Sequence, residues 1–202
     1  MSFEVSRLPR HLTALLCACA LVPASASAWP NPANHPSLID VPIEEGSYDH
    51  ATKCKPRTTP GIRLLEGWID RHYAGQSWGV YRCQRLSKTT RSLHSEGRAL
   101  DWHLDASNKR ERRVANLMIE RFLAADERGN TNALARRMGI QELIFNCRSW
   151  FTGSDGLGTY SACEGGGRVD RTTAHRDHVH IGLSIAGARA KTSFWRSPLR
   201  RK

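Results

Sequence analysis

The chain has 202 residues, of which 40% are hydrophobic and 24% charged, with a formal net charge of +11 and a sequence pI near 9.9. That length suits one domain with a sizeable core, and no apolar run is long enough for a transmembrane segment. The basic balance favours an anionic partner. Nucleic acid is set aside, because the N-terminus reads as an export signal and no aromatic-basic RNA-binding module is visible.

Residues 1–28 are predicted to be a signal peptide. Arg7, Arg10 and His11 form a basic n-region, residues 12–22 a short apolar core, and Ala26-Ser27-Ala28 a small-residue cleavage site, so that the mature chain starts at Trp29. The stretch Leu16-Cys17-Ala18-Cys19 loosely resembles a lipoprotein cleavage box. The downstream Ala-x-Ala site is cleaner, so anchoring at Cys19 is not favoured. The predicted location is secreted or at the cell envelope, with an anionic envelope as the natural partner.

Residues 29–59, rich in Pro, Asn, Ser and Gly, are predicted to be an extended leader strapped across the domain and anchored by Cys54. The domain proper is predicted over 60–188. Ile62, Leu65, Ile69 and Tyr73 recur at helical spacing after Pro60-Gly61, which predicts a helix over 60–73. A short strand is predicted over 78–83 and a polar loop over 85–92. Residues 99–104 alternate, with Asp101 and His103 on one side and Leu100, Trp102 and Leu104 on the other. A helix is predicted over 108–125, capped by Ser107 or Asn108, with Val114, Leu117, Met118 and Phe122 as its apolar stripe. A second short helix is predicted over 131–138 and a strand over 140–147. Residues 150–173 lack periodicity and predict a long loop, functional or mobile. Residues 179–184 predict a strand, and 189–202 a basic tail losing order beyond Trp195.

Four cysteines remain after the leader signal: Cys54, Cys83, Cys147 and Cys163. An even count in an exported chain predicts disulfides, and no Cys-x-x-Cys pair suggests zinc. Of the three connectivities, Cys54–Cys83 with Cys147–Cys163 is favoured, since each joins sequence neighbours.

The chemistry concentrates in two segments, Ser92-Leu93-His94-Ser95-Glu96-Gly97-Arg98-Ala99-Leu100-Asp101 and His175-Arg176-Asp177-His178-Val179-His180. His, Asp and His are a mixed nitrogen and oxygen set that suits zinc, and three protein ligands leave a fourth position open. Gly97 permits a tight turn between His94 and the strand bearing Asp101. On a strand, His178 and His180 share a face. One can ligate an ion while the other moves protons.

These segments resemble the zinc metallopeptidase superfamily of D-alanyl-D-alanine carboxypeptidases and dipeptidases, penicillin-insensitive murein endopeptidases, lysostaphin-type endopeptidases and hedgehog-type domains. The resemblance covers roughly residues 61–185 in order of elements, and its specific part is the two motifs. It implies an α+β fold, a small antiparallel β-sheet with flanking helices and the metal site on one face of the sheet. It implies Zn2+ held by His94, Asp101 and His180. The dipeptidases usually carry a Glu three residues before the last ligand, where this chain has Asp177. The murein endopeptidase branch uses histidines spaced like His175, His178 and His180, although its His three residues before the first ligand is Arg91 here. The implied proton-handling pair is therefore His178 and His175, with Asp177 as the alternative. An upstream arginine, Arg82 ahead of Arg85, is expected to stabilise developing negative charge or hold a substrate carboxylate.

His103 is expected either to support Asp101 or to make a plain polar contact. Ser92 is expected to shape the motif turn, Asp105 to cap the next loop or helix, and Trp102 to lie in the core. The expected function is an exported zinc peptidase acting on peptidoglycan peptides as carboxypeptidase or murein endopeptidase. The alternatives are a non-catalytic zinc-containing envelope-binding module and a disulfide-stapled wall protein without metal.

Overall fold

The computed structural model describes residues 30–55 and 57–201. The predicted signal peptide, Cys17, Cys19 and Trp29 lie outside the described residues. The fold is α+β: six antiparallel strands in one sheet, flanked by helices. The strands are β1 (Gln76–Gly79), β2 (Ala99–His103), β3 (Ile140–Phe145), β4 (Arg148–Phe151), β5 (Gly158–Thr159) and β6 (His178–Leu183), in the order β1-β2-β6-β3-β4-β5. The helices are α1 (Pro36–Ile39), α2 (Pro60–His72), α3 (Lys109–Leu123), α4 (Ala133–Met138), α5 (Ile185–Ala188) and α6 (Ser193–Arg196). No helix among the described residues is long and apolar enough to cross a membrane.

Alternation along the strands separates two faces. Leu100 and Trp102 on β2, Leu143 on β3, and Val179 and Ile181 on β6 join Leu65, Trp68 and Ile69 of α2 and Met118 and Phe122 of α3 in one core. The opposite face carries the polar residues. Asp101 lies across from His180 and His103 across from His178 in the β2–β6 register. Glu142 pairs with Gly182, and Ile144 with His180, in the β3–β6 register.

Four elements differ from the sequence expectation. The buried face of α3 is Ala115, Met118, Ile119 and Phe122, turned slightly from the predicted stripe, and Val114 is only partly buried. β1 ends at Gly79 instead of running to Cys83. The backbone beyond it turns to the first motif: the Val80 carbonyl accepts from His94 Nδ1 (2.9 Å), and Arg82 N–H donates to the His94 carbonyl (3.5 Å). Within 150–173, β4 continues through Phe151 and pairs back onto β3, β5 pairs with β4, and 3₁₀ turns lie at Ser161–Gly166. Partners elsewhere in the chain supply these hydrogen bonds, so no local period announces them.

The fourth difference is the C-terminal stretch read as a loose tail. Phe194 and Trp195 of α6 are fully buried, Trp195 Nε1 donates to the Met138 carbonyl (2.8 Å), and Leu199 is buried in the turn Pro198–Arg201.

The segment read as an extended leader contains a 3₁₀ turn at Pro32–Asn34 and α1, and joins the core through Ala33 and Leu38. The disulfides are Cys54–Cys83 and Cys147–Cys163, the favoured connectivity. The first ties the leader to the chain beyond β1, and the second holds residues 147–163 as a loop. Two disulfides fit an oxidising compartment.

Candidate metal and catalytic centre

The first motif folds as a single 3₁₀ turn, Leu93–Glu96, ahead of β2. The Ser92 side chain accepts from the His94 backbone N–H and caps the turn, as expected. Ser95 Oγ donates to the Arg82 and Gln84 carbonyls and fastens the turn to the preceding loop. Gly97 ends the turn at φ 62°, and a Cβ there would stand 1.8 Å from the Arg57 carbonyl oxygen. No other residue meets both demands. This turn points His94 inward over Asp101.

His94 Nε2, Asp101 Oδ1 and His180 Nδ1 form a triangle with sides of 3.0, 3.1 and 3.1 Å. Ligands about 2.0–2.1 Å from a tetrahedral zinc are separated by about 3.3 Å. The three atoms are therefore already close to the spacing of one face of such a shell. Because His94 Nδ1 donates to the Val80 carbonyl (2.9 Å), a neutral ring keeps its Nε2 lone pair toward the triangle. Burial is the main force holding His94 below its ordinary pKa. Burial opposes charge on Asp101 too, yet its hydrogen bond with His180 above all, with the His94 ring also beside it, holds its carboxyl far below the usual range. At His180, burial disfavours the proton, but Asp101 and Glu142 overcome it and push the ring up to about 9. The pocket therefore favours positive charge at the triangle, which a dication supplies as well as a proton. The donor set and the spacing both fit zinc.

His178 stands beside this triangle. Its Nδ1 donates to Asp177 Oδ1 (2.7 Å), which is itself fixed through its other oxygen by Thr172 Oγ1 (2.6 Å). Its Nε2 is buried without a hydrogen-bond partner among the described residues, 3.5 Å from Asp101 Oδ1. His175 packs its ring 4.7 Å from that of His178 and 5.6 Å from that of His180. Its Nδ1 donates to the Thr173 carbonyl (3.0 Å), and its backbone adopts φ 50°. Burial above all, then His180 and His178, lowers the His175 pKa to about 3. Arg82 reaches to 3.7 Å from Asp101 Oδ2 with about half of its side chain exposed. All the predicted site residues are thus brought to one place: His94, Asp101 and His180 as a triangle, with His178, His175 and Arg82 around it. Arg85 instead donates to the Lys88 carbonyl (3.1 Å). His103 turns to the Asp177 carbonyl (2.7 Å) and stacks on Trp78, with ring centroids 4.2 Å apart; it has taken the plain polar contact. Asp105 accepts from Ser107 and Arg171.

Sequence reasoning missed Glu142, Tyr48 and Tyr160. All three line the cleft above the triangle, alongside Arg82, Arg91 and His175. Glu142 carried a readable signal: it is the one ionisable side chain in the otherwise apolar and amide run Ile140–Phe145, on a strand with inward positions. Tyr48 and Tyr160 arrive from segments without periodicity and carried none.

Residues 51–178, well over half of the chain, match the family model described as VldE, C-terminal domain. The matched stretch holds His94, Asp101, His175 and His178, and ends two residues before His180. No curated protein and no solved structure matches the chain.

Proposed function

We infer that this chain, which belongs to the family of VldE C-terminal domains, is a zinc-dependent peptidase whose substrate is a peptide of the cell envelope. The observation that carries this reading is the pairing of a ready ligand triangle with an unpartnered, buried His178 Nε2 next to it. A pure metal-binding module has no use for a second oriented imidazole. The superfamily resemblance of the two motifs points the same way.

His94 Nε2, Asp101 Oδ1 and His180 Nδ1 would hold the ion. Bound zinc supplies Lewis acidity and lowers the pKa of a water toward neutrality. His178 does the proton work. With Nδ1–H committed to Asp177, its free Nε2 takes a proton from the attacking water and returns it to the leaving amine. Asp177 orients that ring and so acts through His178 instead of being the base itself. His175, held neutral, lines the cleft with its ring against that of His178. Arg82 extends its guanidinium over the triangle from the solvent side, positioned to stabilise developing negative charge or a substrate carboxylate. Arg82 and Arg91 make the cleft rim basic, which suits acidic stem peptides of a wall polymer.

The test is zinc content together with release of peptides from purified peptidoglycan, for wild type, His178→Ala and His180→Ala. The expected result is about one zinc per wild-type chain, peptide release, metal retained but release reduced by about 10²–10⁴-fold in His178→Ala, and zinc lost in His180→Ala. Full zinc stoichiometry in a folded His180→Ala protein sinks the ligand assignment. Zinc without release from either protein moves the envelope-binding module ahead.

A further inference from the structure

We propose that Glu142 and Tyr48 form a positioning relay behind His180, so that the leader segment completes the metal site. The proposal rests on the reading of His180 as a ligand through Nδ1, and it concerns the ring's other nitrogen.

A neutral imidazole that gives one nitrogen to an ion carries its proton on the other, and that N–H needs an acceptor. His180 Nε2 is fully buried and has no hydrogen-bond partner among the described residues. Glu142 Oε1 lies 3.3 Å away, within reach but out of line for a hydrogen bond. A small rotation of either side chain closes it. A buried N–H left without an acceptor costs about 1–3 kcal/mol, so such groups are found paired.

The carboxylate is held ready for this. Tyr48 donates its hydroxyl to Glu142 Oε2, leaving Oε1 for the histidine. Tyr48 comes from the leader, which is pinned one residue later: Asp49 N–H donates to Gln141 Oε1 (2.9 Å), and the Asp49 carbonyl accepts from Gln141 Nε2 (3.1 Å) and Arg98 Nη2 (2.9 Å). The leader therefore clamps both Gln141 and Glu142 on β3. Gly182, opposite Glu142 in the β3–β6 register, lets the carboxylate stem approach: a Cβ there would sit 3.1 Å from Glu142 Cβ and 2.4 Å from Leu93 Cδ1. The order of the relay is Tyr48 O–H to Glu142 to His180 to the ion. Glu142 and Tyr48 act through His180, as positioning residues.

The experiment uses the full mature chain and three variants, Glu142→Ala, Glu142→Gln and Tyr48→Phe. The readouts are the zinc Kd by chelator competition and the ring Hε2 resonance of His180 in 15N-labelled protein, with and without zinc. Glu142→Ala is expected to weaken zinc by about 10–100-fold and to lose the exchange-protected Hε2 signal. Glu142→Gln, which keeps a neutral acceptor, is expected to retain the signal and recover part of the affinity. Tyr48→Phe removes one hydroxyl from a folded protein and is expected to weaken zinc by a smaller factor. A Glu142→Ala protein that binds zinc within about twofold of wild type, or keeps an unchanged Hε2 resonance, overturns the relay. If wild type binds no zinc, the peptidase reading fails by itself. The Hε2 signal of the metal-free protein then decides the Glu142–His180 pairing: its loss in Glu142→Ala upholds the pairing, and its persistence overturns it.

Discussion

At the scale of single residues, two imidazoles of the candidate site commit one nitrogen each and turn the other toward the centre. His94 gives Nδ1 to the Val80 carbonyl and His178 gives Nδ1 to Asp177. The second pairing makes a prediction. Asp177→Asn removes the charge that orients the His178 ring while leaving the ligand triangle untouched. Hydrolysis is expected to fall at least about tenfold at unchanged zinc affinity, read as kcat and metal Kd on the same preparation; unchanged kcat would remove Asp177 from the mechanism. Gly97 makes another prediction. With φ 62° and the Arg57 carbonyl where a Cβ would go, Gly97→Ala is expected to destabilise the fold by more than about 1 kcal/mol and to loosen metal binding with it. A denaturant midpoint equal to wild type would show that the turn tolerates the side chain. His94 and Asp101 were legible as neighbours in the sequence because their spacing matched a turn followed by a strand, and the resemblance of the motifs added His180 to the candidate set. Glu142 was legible only as a charge in an apolar strand, and its partner Tyr48 not at all, because 94 residues separate them.

At the scale of elements, the sheet does the positioning. β2 and β6 pair so that Asp101 meets His180, and a shift of either strand by one residue would send that strand's own site side chains, Asp101 or the pair His178 and His180, to the core face. β2, β3, β6 and the two longer helices were readable in the sequence, whereas β1 was read too late in the chain and β4 and β5 were not read as strands. The stripe of α3 was read slightly off its true face because Ile119 and Ala115 pack inward while Leu117 does not. Helix α6 was not readable, being only four residues long. It matters nonetheless: Phe194 stands edge-on to Trp68 with ring centroids 5.9 Å apart, and Trp195 lies against α4 through the Met138 carbonyl. Trp195→Ala is expected to cost about 3–5 kcal/mol in chemical denaturation. A loss under about 1 kcal/mol would return the C-terminal stretch to the status of a tail.

At the scale of the whole molecule, long-range ties join segments that local patterning treats as separate. One is buried and ionic: Arg137 on α4, fully buried, faces Asp126 at 3.8 Å and donates to the Val41 carbonyl of the leader (3.2 Å). Burial opposes charge on Asp126, but the Asn130 side chain, the Asn130 and Arg128 N–H groups and Arg137 hold its carboxyl below the usual carboxylate pKa. A carboxyl depressed in the folded state adds stability above its unfolded pKa of about 3.9, and that stability is lost as pH falls through the folded value. Thermal unfolding of wild type is therefore expected to lose stability on the acid side of about pH 4. Asp126→Asn should lower Tm at neutral pH and flatten that acid slope, and an unchanged slope would assign the acid loss to other carboxyls.

The sequence alone named the histidines, Asp101 and Arg82 of the candidate site, set the strand alternation that puts Asp101, His178 and His180 on one face, and favoured one of three cysteine pairings, because each depends on residue type and short-range spacing. Only the tertiary structure decided that the leader supplies Tyr48, that β3 supplies Glu142, that residues 148–159 pair back as strands and that the C-terminal turns complete the core. Those contacts join residues distant in the chain. They arise from which surfaces meet when the sheet closes over its helices, and no local period in the sequence records that meeting.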